Sequence, residues 1–305
     1  MKVDGASDRW FVWSASAVLL SGGVVVGGLA GGVATAAIGG VAGLAMAAAL
    51  ARHLRRHTTR RRTILSRPFP EGWRRLLDER STHFDRLPQP LRERFERDVA
   101  VFLDEKAITG VGIQAREDLR LLVAASAITL SVGWPDHEWD ALTEVLLYPD
   151  DFDRDYNFGG EERVGEAHAW GTVILSAPAL EESFEDPEDG YHVGLHEFAH
   201  LLDLQLGEFD GVPASLSETR SRQWAALVPQ EMERIREDQS VLDDYGAESP
   251  AEFFAVSVET FFELPGELRD GHPALYEILS EYFAQDPAAW QEARPRHRRM
   301  RRRKH

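Results

Sequence analysis

The chain has no cysteine among its 305 residues, which excludes a disulfide framework, a thiolate zinc finger, a thiol nucleophile and an iron–sulfur cluster. Any bound metal must therefore rest on histidine and carboxylate. Charge is absent from one long stretch, the 42 residues between Arg9 and Arg52. Acid is absent from another, residues 52–67, which carry seven arginines. Apolar residues are not scarce: 43% of the chain is hydrophobic and 28% charged, so it is neither disordered nor collagen-like. The length fits one domain of about 200 residues with appendages.

The net charge of −17 is an average over unlike pieces. Residues 1–51 cancel to zero. Setting aside the seven positive charges of 52–67 and the eight of 293–305 leaves −32 on residues 68–292. Nucleic acid needs a basic footprint, so no nucleic-acid partner is expected for this acidic domain.

A helix through the uncharged stretch would run about 63 Å, against a hydrocarbon core of about 30 Å. It therefore reads as a membrane anchor over 1–51, a hairpin of two short transmembrane helices near 10–29 and 33–51 turning at Gly31-Gly32. Small residues at helical spacing, such as Gly23 and Gly27, would let the two pack closely. A cleaved signal peptide is the alternative; its apolar region is usually only about 7–15 residues long. The arginines of the juxtamembrane linker 52–67 place that end in the cytoplasm by the positive-inside rule. The domain at 68–292 would follow them there, ending in a basic tail at 293–305.

Within 68–292 helical periodicity dominates, predicting helices over 91–106, 117–132, 191–206, 217–239, 249–263 and 272–285. Ser249-Pro250-Ala-Glu252 is a strong helix start, with cap, proline and glutamate in order. Strands are expected at 142–148 and 172–176, each closed by a proline, and the acidic, glycine-rich 149–169 reads as loop. The expected class is α+β, mostly helical, with a small sheet.

Residues 196–200 read His-Glu-Phe-Ala-His. On a helix, positions four apart share a face, so His196 and His200 can present two imidazole nitrogens to one zinc ion, with Glu197 beside it as base. Composition alone predicts about 0.04 accidental matches to this pattern in such a chain. A catalytic zinc takes a third protein ligand, and Glu231, Glu233, Glu252 and Glu259 are the helical candidates that follow. Glu252 at its helix start serves equally as a dipole-complementing carboxylate. Asp203 and Glu259 are placed to orient a ligand histidine or to sit in solvent. His168 and His192 read as ordinary polar residues, and Phe253, Phe254, Phe261 and Phe262 as core.

Several further stretches accompany this motif: Glu144-Val-Leu-Leu-Tyr-Pro149, Gly165-Glu-Ala-His-Ala-Trp-Gly171, Gly211-Val-Pro213, Tyr245-Gly-Ala-Glu-Ser-Pro-Ala-Glu252-Phe-Phe-Ala255 and Asp286-Pro287. Together, in this order over about 70–290, they resemble the Mlc titration factor A family of bacterial zinc metallopeptidases. The last glutamate element also resembles the catalytic domain of anthrax lethal factor. The resemblance implies a zincin-like domain with one zinc per chain, Glu252 as the third ligand and Tyr245 pointing at the reacting carbonyl. It implies a peptide or protein substrate. The placement on the cytoplasmic side of the bacterial inner membrane rests on the anchor and the arginine rule above, and the anchor and the arginine tail are departures from the family's compact soluble members. A regulatory module that sequesters a transcriptional repressor is the other function it implies.

Overall fold

The computed structural model describes residues 38, 41, 42, 45, 46, 59–135, 137–153, 156, 163–204, 209–213 and 216–294. Two compact units divide the chain, residues 1–68 and 69–305. In the first, residues 59–65 are helical. The expected spans over 10–29 and 33–51 lie outside the described residues except for five helical positions between 38 and 46. Among the described residues no helix is long and apolar enough to cross a membrane. The basic tail beyond 294 also lies outside them.

The second unit opens with α1 (Glu71–Arg80), α2 (Thr82–Arg86) and α3 (Gln89–Glu105), then β1 (Ala107–Gly110) and α4 (Glu117–Ser131). Next come β2 (Glu144–Tyr148), β3 (Gly165–Ala167) and β4 (Thr172–Ser176), followed by α5 (Ala177–Glu185), α6 (Val193–Asp203) and α7 (Glu218–Arg236). A 3-10 turn at Asp244–Ala247 leads into α8 (Pro250–Glu263), and α9 (Pro265–Gly271), α10 (Pro273–Phe283) and α11 (Pro287–Ala293) close the unit.

The four strands form one mixed sheet in the order β1-β2-β4-β3. β1, β2 and β4 run parallel, with Ala107 opposite Glu144 and Glu144 opposite Thr172. β3 is antiparallel to β4, with Gly165 opposite Leu175, and forms the edge. Their hairpin turns at Gly171, whose φ is +88° and where a Cβ would meet Ala141 O at 1.8 Å, so only glycine serves.

Helix α4 is buried on all sides from Leu121 to Ser131, mostly apolar as an internal helix must be, with the Ser126 and Ser131 hydroxyls donating to carbonyls one turn back. α6 packs against α4, α8 and β3 and is the central element of the unit. Phe198 on α6 is fully buried, 5.2 Å from the Trp139 ring and 6.2 Å from Phe102. Truncating such a phenylalanine costs about 3–5 kcal/mol. Phe253, Phe254, Phe261 and Phe262 are all buried.

Strand 172–176 has the bounds expected, and helices at 218–236 and 250–263 fall within one to three residues of them. The loop expected over 149–169 is corrected at its end: Gly165–Ala167 is a strand because β4 supplies the pairing that its own composition does not. β1 at four residues and the helices α1, α2, α5, α9 and α11 have no counterpart in the periodicity reading.

Candidate metal centre

Helix α6 starts at the motif because His192 caps it, Nδ1 accepting from the Leu195 N–H at 3.2 Å. From this start His196 and His200 lie one turn apart on the same face. Helix α8 starts with the Ser249 hydroxyl accepting from the Glu252 N–H at 3.2 Å and with Pro250 in its first turn. That start brings Glu252 across α6. Its Oε2 stands 3.0 Å from His196 Nε2 and 3.4 Å from His200 Nε2, and the two Nε2 atoms are 3.1 Å apart.

Three lone-pair atoms so close repel unless a proton or a cation stands among them. Ligand atoms held tetrahedrally at zinc distances are about 3.3 Å apart, so this donor set fits such an ion. Chemically, two imidazoles and a carboxylate suit zinc. Among the described residues this trio is the one group of histidines and acids placed to hold a metal.

Glu259, two turns after Glu252 on α8, takes the other side of the same imidazole. Its Oε1 accepts from His196 Nδ1 at 2.8 Å and its Oε2 accepts from the His192 N–H at 2.5 Å. A carboxylate on Nδ1 assigns the proton there and leaves Nε2 bare, as ligation requires. Asp203 behaves otherwise. Both its oxygens accept from the Gly211 N–H at 3.0 Å and do not reach His200. Gly211 is fixed there by φ +72°, a Cβ clash with Pro250 O and a 2.7 Å hydrogen bond from Trp224 Nε1.

The electrostatics follow from burial. Desolvation pushes the carboxyls of Glu197 and Glu259 up. Burial acts the same way on Glu252, but hydrogen bonds from His196 and His200 outweigh it and bring its pKa down to about 2. Burial disfavours charge on His196, yet Glu259 and Glu252 hold its pKa well above the usual histidine value. The carboxylates therefore draw positive charge to this point. Burial, with Glu252 and Glu248 nearby, raises the Tyr245 phenol to about 12.

These groups line an open cleft of about 700 Å³. Tyr245 lies on the 3-10 turn, 45% exposed, its ring 5.9 Å from that of His196. Residues 163–167 form one wall, and Tyr191 and Phe209 are exposed at the cleft. Residues 165–167 belong to a stretch that accompanies the motif in the sequence, but the sequence alone does not place them at the cleft. Tyr191 and Phe209 were missed, and the Gly190-Tyr191 pair just before the motif helix was the available signal for the first. Glu231 and Glu233 lie elsewhere, paired with His272 and Arg236. His168 stacks on Trp170 at 4.3 Å.

A His-Glu-x-x-His helix met by a glutamate of a later helix defines the two-histidine, one-glutamate class of metal site known from metallopeptidases. The chain belongs to the family described as glucose-regulated metallo-peptidase M90, whose family model matches residues 55–284. An uncharacterized Synechocystis protein is 30% identical over 244 residues, covering 75% of this chain and 89% of its own length. Mlc titration factor A of Edwardsiella ictaluri is 32% identical over 187 residues, 55% of this chain and 69% of that protein. Its counterpart from Escherichia coli O139:H28 is 30% identical over 203 residues, 61% and 76% respectively.

Proposed function

We propose that this chain is a zinc-dependent peptidase in which His196, His200 and Glu252 hold the ion, Glu197 is the general base and Tyr245 the oxyanion donor. The observation that carries the reading is the convergence of three ligand atoms within 3.4 Å at the floor of an open cleft, with Glu197 beside them. Bound zinc would supply Lewis acidity, polarising the scissile carbonyl and easing deprotonation of water.

The chain's own groups do the rest. Glu197 takes one proton from the attacking water and returns it to the nitrogen of the leaving amine as the C–N bond breaks. Its raised pKa, from burial, brings it nearer the range in which a carboxylate both accepts and returns a proton. Tyr245, with a phenol held at about 12, keeps its proton at neutral pH and donates a hydrogen bond to the carbonyl oxygen as charge develops. Glu259 holds the imidazole of His196 in the ligating tautomer.

The name of the relatives, Mlc titration factor A, supports a second reading, sequestration of a transcriptional regulator by the same fold. Retention of Glu197, which pure binding does not need, favours the enzyme.

Purified chain should hold about one zinc, lost in His196→Ala and Glu252→Ala. Against a chromogenic peptide library Glu197→Gln should keep zinc and lose most turnover, and Tyr245→Phe should keep zinc and lose roughly 10²–10³-fold. Stoichiometric zinc in Glu252→Ala refutes the ligand set, and wild-type turnover in Glu197→Gln refutes the mechanism.

A further inference from the structure

Glu197 is 5% exposed, yet among the described residues its carboxylate has no hydrogen-bond partner. What acts on it electrostatically is charge on His196, His200, Glu252 and Glu259. A flexible side chain without a polar tether is set by what it packs against. Glu197 packs against Gly165 of the edge strand β3. A Cβ at 165 would lie 2.5 Å from Glu197 Oε1, 2.7 Å from Cγ and 2.9 Å from Cδ, far inside the ordinary contact of about 3.5–4.0 Å.

The backbone does not ask for glycine here. Gly171, Gly190 and Gly211 have positive φ, and Gly165 does not. Glycine also weakens a strand interior. Nor can β3 easily retreat, since it is held to β4 in the register that sets Gly165 opposite Leu175. Space is the remaining reason for the missing side chain, and the Glu197 carboxylate fills that space.

We propose that Gly165 is a positioning residue. The bare backbone at 165 is the seat of the Glu197 carboxylate and fixes where in the cleft the base stands. This rests on the reading of Glu197 as general base. Any larger residue at 165 must displace the carboxylate by about 1 Å to restore normal contact, and a misplacement of that size costs about 10²-fold in turnover. The three atoms nearest to such a Cβ all belong to Glu197 and none to His196, His200 or Glu252, so the Glu197 side chain is the first to move.

The test is a cycle of Gly165→Ala, Glu197→Gly and the double variant in the full chain, read first by melting of the metal-free protein. Because the side chain that must move is flexible and untethered, Gly165→Ala should lower the melting temperature by only about 1–4 °C beside Glu197, and by nothing once Glu197 is glycine. In zinc-loaded protein Gly165→Ala should keep about one zinc, lose about 10²-fold in kcat and leave KM nearly unchanged. A double variant that folds where Gly165→Ala does not also supports the proposal. Equal loss of melting temperature in both backgrounds, or wild-type kcat in Gly165→Ala, overturns it. Failure of the base reading shows separately, as wild-type turnover in Glu197→Gln, because the melting cycle uses neither metal nor substrate.

Discussion

Glu259→Gln removes one charge and changes almost no volume, and the structure dictates its consequences. The carboxylate is 2% exposed and accepts two hydrogen bonds, from His196 Nδ1 at 2.8 Å and from the His192 N–H at 2.5 Å. An amide has one acceptor oxygen and one donor nitrogen. If the oxygen stays with His196, the amide N–H₂ faces the His192 N–H, donor against donor, at a cost of about 1–3 kcal/mol for the buried unsatisfied group. If it turns round, its nitrogen donates to His196 Nδ1, which forces the imidazole proton onto Nε2 and blocks ligation. Either way zinc affinity should fall about 10–100-fold, or about 1.4–2.7 kcal/mol. The check is zinc titration against a competing chelator, with melting of the chelated protein alongside. Wild-type zinc affinity in Glu259→Gln would refute the argument that this carboxylate sets the tautomer.

Two further outcomes follow from buried groups. Burial pushes the His192 imidazole down to about 3, so the native state keeps it neutral while the unfolded chain protonates it near 6.5. Its contribution is therefore complete above pH 6.5 and is lost as pH falls towards 3, because there the unfolded state binds more protons. Asparagine keeps a helix cap without titrating, so denaturant stability of wild type relative to His192→Asn should fall by roughly 1.4 kcal/mol per pH unit across that window; a flat difference refutes it. Gly211→Ala puts a Cβ 2.1 Å from Pro250 O at φ +72° and should cost about 2–4 kcal/mol. A melting temperature within a degree of wild type would show that the Asp203–Gly211 clamp does not hold the start of α8.

What the sequence disclosed and what it hid divide along the range of the interactions. His196, Glu197 and His200 lie within one helical turn, so spacing alone puts them on one face. Ser249, Pro250 and Glu252 mark the start of α8 with side chains that act on their own helix. Glu252 and Tyr245 as site residues came from resemblance to a family, because nothing local distinguishes a glutamate that caps from one that crosses to another helix. Gly165-Glu166-Ala167 has no β-branched residue and no alternation, so its strand character exists only through pairing with β4. Pro178 read as the end of β4 also stands in the first turn of α5, behind the Ser176 cap, and one proline served both signals. Asp203 and Glu259 were equivalent by helical facing; only the Gly211 loop, folded back onto Asp203, separates them.

The two imidazoles of the motif are not held alike. Helix α8 grips His196 from both nitrogens, with Glu252 at Nε2 and Glu259 at Nδ1, although these glutamates are two turns apart and their Cα atoms are separated along the axis by about 10.5 Å. The side chains converge on one ring because α8 lies across α6. The ring's tilt is thus tied to the helix that carries Glu252. His200 is held at one nitrogen only: its Nε2 faces Glu252 Oε2 at 3.4 Å, whereas among the described residues its buried Nδ1 has no hydrogen-bond partner, and its ring is bounded by His196 at 4.8 Å and Phe209 at 5.9 Å. An imidazole held at one nitrogen can turn at less cost than one held by carboxylates at both. His196 and α8 are accordingly the more firmly held part of this cluster, and His200 the part freer to adjust. Two close glycine approaches flank this core, Gly165 against the Glu197 side chain and Gly211 against the Pro250 backbone at the start of the helix that carries Glu252.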